Sequence, residues 1–327
     1  MTDTPTVYTA HDVPDLINSL PTLFGFTPTE SLIGIATRGP RRRFGFRLRV
    51  DILGAHDIAE LADLVARHLR HQGAEGAVLI AVTERRAIAA RLIAAVERAL
   101  PPTELVVGAW ATSTHYWTTD PGFPSDGIAY ERSDHHLSIV KAIAAGQEIL
   151  PNRQALVDRF RAVGGPRRQF LVRATAEVLH QIAPLIGQAE GTDLAVIGMR
   201  EVEPILERGL SGRLDDDGIV RLSIWLSAIS VRDAVWARIT TESADAMLAL
   251  LTQLSRNVVP PFEPAVLSLT AFAAWLTGDG AQALIAVERA LKADPHYSMA
   301  GLILQLLEGG VSPSHWSGYP AEHDTSP

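Results

Sequence analysis

Cysteine is absent from the chain of 327 residues. That excludes a disulfide, a thiolate metal site and a cysteine nucleophile, and it fits a reducing compartment. Lysine is nearly absent as well. Only Lys141 and Lys292 occur, and arginine supplies the remaining cationic side chains, a bias that reads as high-GC codon usage. An excess of positive charge is missing too. The formal net charge of -8 argues against broad, non-specific binding to DNA, because attraction to phosphate needs clustered cations. No apolar run approaches the ~18–20 residues of a membrane span. The opening Met1-Thr2-Asp3-Thr4-Pro5 has neither the basic nor the apolar region of a signal peptide. These absences predict a soluble, cytoplasmic protein with no membrane partner. The familiar catalytic signatures are lacking as well: no Gly-x-x-x-x-Gly-Lys, no Gly-x-Gly-x-x-Gly after a strand, no Gly-x-Ser-x-Gly and no His-Glu-x-x-His.

What is present is ordered punctuation. A hydrophobic content of 47% is ample for a core, and the length suggests two domains or one large one. Asp12-Val13-Pro14 reads as a helix start, with Asp12 as cap and Pro14 in the first turn. Leu16, Ile17, Leu20, Leu23 and Phe24 follow at helical spacing, and Gly25 ends the element. Residues 31–37 form an apolar run. After the Gly39-Pro40 turn, Phe46, Leu48 and Val50 alternate with Arg47 and Arg49, the period of a strand with one wet face. These two strands predict a hairpin. Helices follow over 57–71 and 85–100, flanking the uniformly apolar 77–82, which reads as a strand buried on both faces. A further strand begins at Leu105. The order predicts an α/β domain with a mixed sheet over residues 1–130, an opening β-hairpin followed by a βαβαβ-like run.

After the loop Asp120-Pro121-Gly122-Phe123-Pro124-Ser125-Asp126-Gly127, only helical periodicity remains. This predicts an α-helical domain over 131–310 and a disordered tail over 311–327. Ala271, Gly278, Ala283, Ala290 and Pro295 are spaced so that two antiparallel helices can approach closely, with Gly278 at the turn. The spacing is that of one tetratricopeptide unit.

Several of these blocks together carry a resemblance. They are Leu20 to Asp51, Leu105 to Trp117, Ala145-Gly146 through Leu150-Pro151-Asn152-Arg153, and Ala274-Trp275-Leu276-Thr277-Gly278-Asp279-Gly280 through Asp294-Pro295-His296-Tyr297. In this order they resemble the DUF4192 family, actinobacterial proteins with no assigned biochemical role. The resemblance supplies no catalytic residue. Many members carry a cysteine cluster after the aromatic strand. Here that segment reads Thr118-Thr119-Asp120-Pro121-Gly122-Phe123-Pro124, so a thiolate role does not apply.

Candidate sites follow from topology. Ligands of parallel sheets favour the crevice beyond the strand carboxyl ends, which would gather Asp51, Glu84 and Thr112 to Asp120. His115 could act as a base, with Asp51 and Asp120 as its catalytic partners. Glu84, Tyr116 and Trp117 could bind a ligand, the two rings by stacking. The plainer reading pairs Asp51 with an arginine or uses it as a cap, and places the aromatics in the core. Arg41, Arg42, Arg43, Arg47 and Arg49 crowd one hairpin, as a patch for phosphate or an acidic partner or as a solvated face that blunts a sheet edge. Asp134 is expected to cap a helix, and His135 and His136, being adjacent, point apart rather than to one metal. Asp215-Asp216-Asp217-Gly218 reads as a capped turn, not a calcium loop. No cofactor or metal is indicated. The expected function is a non-catalytic module that binds a protein or peptide, or a ligand, with nucleic acid disfavoured. The alternative is a hydrolase-like enzyme for a small molecule, working at the strand-end crevice.

Overall fold

A computed structural model describes residues 10–52, 54, 56–188, 192–313, 316 and 318. The chain divides into two compact units, Met1–Ala155 and Leu156–Pro327. In the first unit, α1 (Val13–Phe24) starts at Asp12, whose side chain accepts from the Asp15 N–H, and ends at Gly25 with φ 71°. Only a residue without a Cβ adopts that left-handed cap freely. Strands β1 (Ser31–Arg38) and β2 (Arg43–Asp51) form the expected hairpin, followed by α2 (Ile58–His71), β3 (Gly76–Val82), α3 (Arg86–Ala99), β4 (Glu104–Ala111), β5 (His115–Thr118), β6 (Ile128–Ala129) and α4 (Leu137–Ala144).

The six strands lie in the order β2-β1-β3-β4-β5-β6. β1 runs antiparallel to both β2 and β3, while β3 and β4 are parallel. Hence β2 and β3, joined through α2, run the same way with β1 inserted between them. β3 is buried along its whole length because both faces are covered. Leu32, Leu79 and Ala81 pack with Val65, Leu69, Leu92 and Val96 of α2 and α3. Ile33, Ile35, Val78 and Ile80 pack under Leu16, Ile17 and Leu20 of α1.

The first unit runs past the expected limit near residue 130, because long-range bonds tie the following segment back. Asn18 accepts from the Ser133 N–H and donates to the Glu131 carbonyl. The Leu150 N–H donates to the Gly25 carbonyl at 2.8 Å, and the Thr27 N–H to the Leu150 carbonyl at 3.0 Å. Periodicity alone carries no information about such ties.

His68, in the last turn of α2, lies against Phe46 with ring centroids 6.3 Å apart. Burial, reinforced by Arg67 and His71, holds its imidazole below the ordinary value of 6.5. A depressed folded value means that the unfolded chain takes the proton first as pH falls. The stability this group contributes is therefore complete above 6.5 and is lost as pH drops through the folded value. Thermal melts at about pH 7.5 and about pH 5.5 should show a loss on acidification that is smaller in His68→Gln. Equal losses in the two proteins would exclude His68 as a source.

The second unit is helical: α6 (Gly165–Gln188), α7 (Thr192–Ser211), α8 (Asp216–Trp225), α9 (Ile229–Trp236), α10 (Ala244–Asn257), α11 (Glu263–Leu276), α12 (Gly280–Ala293) and α13 (Ser298–Glu308), preceded by the short α5 (Arg153–Arg159) at the junction of the units. Every residue of α11 from Pro264 to Leu276 is buried. A helix apolar on all sides is a core helix, and α8, α10, α12 and α13 pack around it. Its buried hydroxyls are satisfied locally: Ser268 donates to the Pro264 carbonyl and Thr270 to that of Val266. Gly278, at φ 82°, makes the turn into α12, and Ala271, Ala283 and Ala290 are fully buried. Asp215 caps α8 by accepting from the Gly218 N–H at 2.8 Å, so that acidic run is a capped turn.

The segment 311–327, expected to be a disordered tail, is anchored at its start. The Val311 carbonyl accepts from Trp275 Nε1 at 2.9 Å, and Trp316 packs on the helical core. Residues 314, 315, 317 and 319–327 lie outside the described residues. Among the described residues, no helix is long and apolar enough to cross a membrane.

Candidate functional site

The carboxyl ends of β2, β3 and β4 share one edge of the sheet. The register places Asp51 opposite Ser31, Ser31 opposite Val82, Val82 opposite Ala111 and Ala111 opposite Tyr116. Asp51 and His115 thus sit four strands apart, roughly 19 Å at the usual strand spacing. Asp120 lies beyond the opposite end of β5, three residue steps from His115 to Thr118 alone spanning about 10 Å. The three expected catalytic side chains are not brought together.

Each of them has a local partner instead. Asp51 accepts from Arg49 Nη2 at 2.6 Å, and Arg49 Nε donates to Ser31 Oγ at 2.7 Å. His115 Nδ1 is 2.9 Å from Thr114 Oγ1. Asp120 accepts from Thr118 Oγ1 at 2.8 Å. Glu84 accepts from the Ser113 N–H at 2.8 Å, ordering the loop between β4 and β5. The expected ligand-stacking rings are also engaged. Trp117 is 6% exposed. It stacks on Trp110 at 6.4 Å and carries the Arg86 guanidinium at 4.6 Å. Tyr116 meets Phe123 and Tyr130 edge-on, and burial raises both phenols above their ordinary value.

Two polar clusters could not be read from the sequence. At the sheet edge, Glu30 holds a left-handed backbone, φ 46°, which is costly for a residue with a Cβ. Its carboxylate accepts from Thr83 Oγ1 at 2.8 Å and from Arg85 Nε at 3.0 Å. Arg85 also donates to the Ile52 carbonyl. This clamp stitches the ends of β1, β2 and β3 together in the space where a ligand was expected.

The second cluster joins α1 to α4. His136 Nε2 is 2.6 Å from Asp15 Oδ1, and its Nδ1 is 2.8 Å from Ser138 Oγ. Carboxylate, imidazole and hydroxyl in series is the arrangement that activates a serine nucleophile. Ser138, however, is 4% exposed and lies in the first turn of α4, so the relay works as a clasp. Its members are 121 residues apart in sequence. Asp134 does not cap α4: His136 occupies the cap position, its ring making no capping bond to the helix backbone, and Ser133 Oγ takes the His135 N–H. The preceding turn bends the chain so that His136, not Asp134, meets α1. Among the described residues, no three His, Asp or Glu side chains are placed to hold a metal ion.

Neither a curated protein nor a solved structure matches the chain. A family model described as "Domain of unknown function (DUF4192)" does match, over residues 14–314. That span takes in the sheet, both polar clusters and the helical unit, and the chain belongs to this family.

Proposed function

We propose that the protein is a non-catalytic interaction module whose first unit receives an apolar helix of a protein partner on α4. One observation carries this reading. Leu137, Val140 and Ile143 recur every third residue along α4 and are 57%, 48% and 56% exposed, whereas Ser138 and Ile139 of the same helix are buried. Single exposed apolar residues are ordinary; three aligned on one helix, itself clasped rigidly through His136 and Asp15, make a continuous apolar stripe. The hairpin of α11 and α12, with small residues at the spacing of a tetratricopeptide unit, supports an interaction role as well. The hydrolase-like alternative draws no support from Asp51, His115 and Asp120, which the register keeps apart.

A photoreactive amino acid at position 140, in the full chain and in the cells that make it, tests the proposal. The expected result is crosslinking to one discrete protein, lost when Leu137→Ser and Ile143→Ser are added while the melting temperature is unchanged. Crosslinking that is diffuse, or indifferent to the two serines, would overturn it.

A further inference from the structure

The turn between β1 and β2 frames an open cavity of about 320 Å³, lined by Arg38, Gly39, Pro40, Arg41 and Arg43. That volume lies at the small end of ligand sites. The frame is held in place by backbone bonds. The Arg42 N–H donates to the Gly39 carbonyl at 2.9 Å and closes the turn, with Pro40 fixing φ inside it. The Gly39 N–H donates to Glu75 Oε2 at 2.8 Å, and Arg38 Nη2 donates to the Gln72 carbonyl. These two bonds pin the turn to the end of α2 and the approach to β3.

The charge around this cavity is unbalanced, within a chain of net charge -8. Arg38 and Arg43 are direct partners on the last rung of the β1–β2 ladder, and like charges facing across strands are destabilising. Arg41 adds a third guanidinium from the turn itself. Among the described residues, no carboxylate pairs with any of the three, and Arg41 and Arg43 make no hydrogen bond. The nearby acids are committed elsewhere: Glu75 to the Gly39 N–H, and Glu104 to Arg42 at 3.0 Å. The other arginines of the hairpin differ in this respect, Arg49 being held by Asp51 and Ser31. Three cations around one concavity, two of them with every donor open, form an arrangement that an anion completes.

From this we infer that the cavity at the β1–β2 turn binds a diphosphate group, free or carried on a nucleotide, with Arg38, Arg41 and Arg43 as its donors. A lone carboxylate balances one of the three charges. Linked phosphates balance more of them and present oxygens on several sides, which suits the fork of a guanidinium. A long polyanion would run beyond the turn onto a chain whose overall charge repels it. The cavity and the apolar stripe of α4 share no residue, so this test and the one above fail independently.

The probe is inorganic pyrophosphate, titrated into the isotopically labelled full chain and followed by backbone amide shifts. Saturable shifts should appear at Gly39, Arg41, Arg42 and Arg43, with a dissociation constant of about 1 mM or tighter. Binding should weaken between about 50 and about 300 mM salt. Arg41→Ala and Arg43→Ala break no bond of the folded chain, and each should weaken binding about three- to fivefold, the upper range for an exposed charge pair. The double variant should lose about tenfold or more. Arg200→Ala, which removes an exposed arginine of α7, should leave binding unchanged. Titration with ADP separates the two sources: tighter binding than pyrophosphate assigns the site to a nucleoside diphosphate, and equal or weaker binding to the free anion. The absence of saturable shifts at the turn, or binding undiminished in the double variant, would overturn the inference and leave a solvated hairpin that meets an adventitious ion only.

Discussion

Trp316→Ala should destabilise the helical unit by about 3 kcal/mol, the low end for removing a large aromatic, because Trp316 is only partly buried. Its ring stacks on Trp236 at 6.3 Å with an interplanar angle of 11°, and meets Phe272 at 5.0 Å and Trp275 at 6.4 Å, both near perpendicular. Offset-stacked and edge-on pairs are the favourable geometries and add ~0.5–1.5 kcal/mol each beyond area. Three such contacts disappear together, and the cavity opens against Phe272, itself 1% exposed. For a unit of this size the loss corresponds to a fall in melting temperature of about 6–12 °C. Near-ultraviolet circular dichroism supplies an independent readout, since the stacked Trp236–Trp316 pair couples optically and the signal should collapse in the variant. A melting temperature within about 2 °C of the parent, with that signal intact, would mean that Trp316 does not hold the tail to the core.

What the sequence could and could not convey follows from the range of each interaction. The bounds of α1 were legible because Asp12 and Gly25 act on residues within one turn of themselves. β3 was legible because six consecutive apolar residues, Ala77 to Val82, have no other home than a doubly covered strand. The hairpin of β1 and β2 was legible in its alternation and its Gly39-Pro40 turn. Strand order was not, because nothing in the chain records that β1 slots between β2 and β3. Without that placement, the strand-end rule gathers Asp51 with His115, although three strands lie between theirs. The clamp of Glu30 on Arg85 spans 55 positions and the clasp of His136 on Asp15 spans 121, far outside any local rule. The first unit extends past residue 130 for the same reason: the Asn18 side chain and the Gly25 carbonyl reach forward to backbone groups of residues 131–150, whose identity leaves no trace in composition. Trp316 sits among Ser, Pro, His and Gly, where local rules predict fraying, and only its three-dimensional neighbours explain its order.

Gly198→Ala should lower stability even though alanine is the better helix former. Gly198 lies within α7, and a Cβ built there falls 2.3 Å from Val231 Cγ2 and 3.0 Å from Trp225 Cε3. Both neighbours are completely buried, at 0% exposure, so neither can swing into solvent. Restoring an ordinary carbon contact of ~3.5–4.0 Å requires the helices to part by more than ~1 Å. Interiors packed to crystal-like density resist that, and overpacking costs ~1–3 kcal/mol. The helical gain from glycine to alanine is only about 1 kcal/mol, so with a contact as short as 2.3 Å strain wins and a net loss of up to about 2 kcal/mol is expected. Gly301 makes the contrast. It is inside α13, and a Cβ there meets nothing within 4 Å, so Gly301→Ala should stabilise by up to about 1 kcal/mol. Urea unfolding of the two variants should give midpoint shifts of opposite sign. Val231→Ala removes the obstructing methyl, so the Gly198→Ala, Val231→Ala double variant should be more stable than the sum of its single losses predicts. Strict additivity would show that α7 and α9 do not touch at this point.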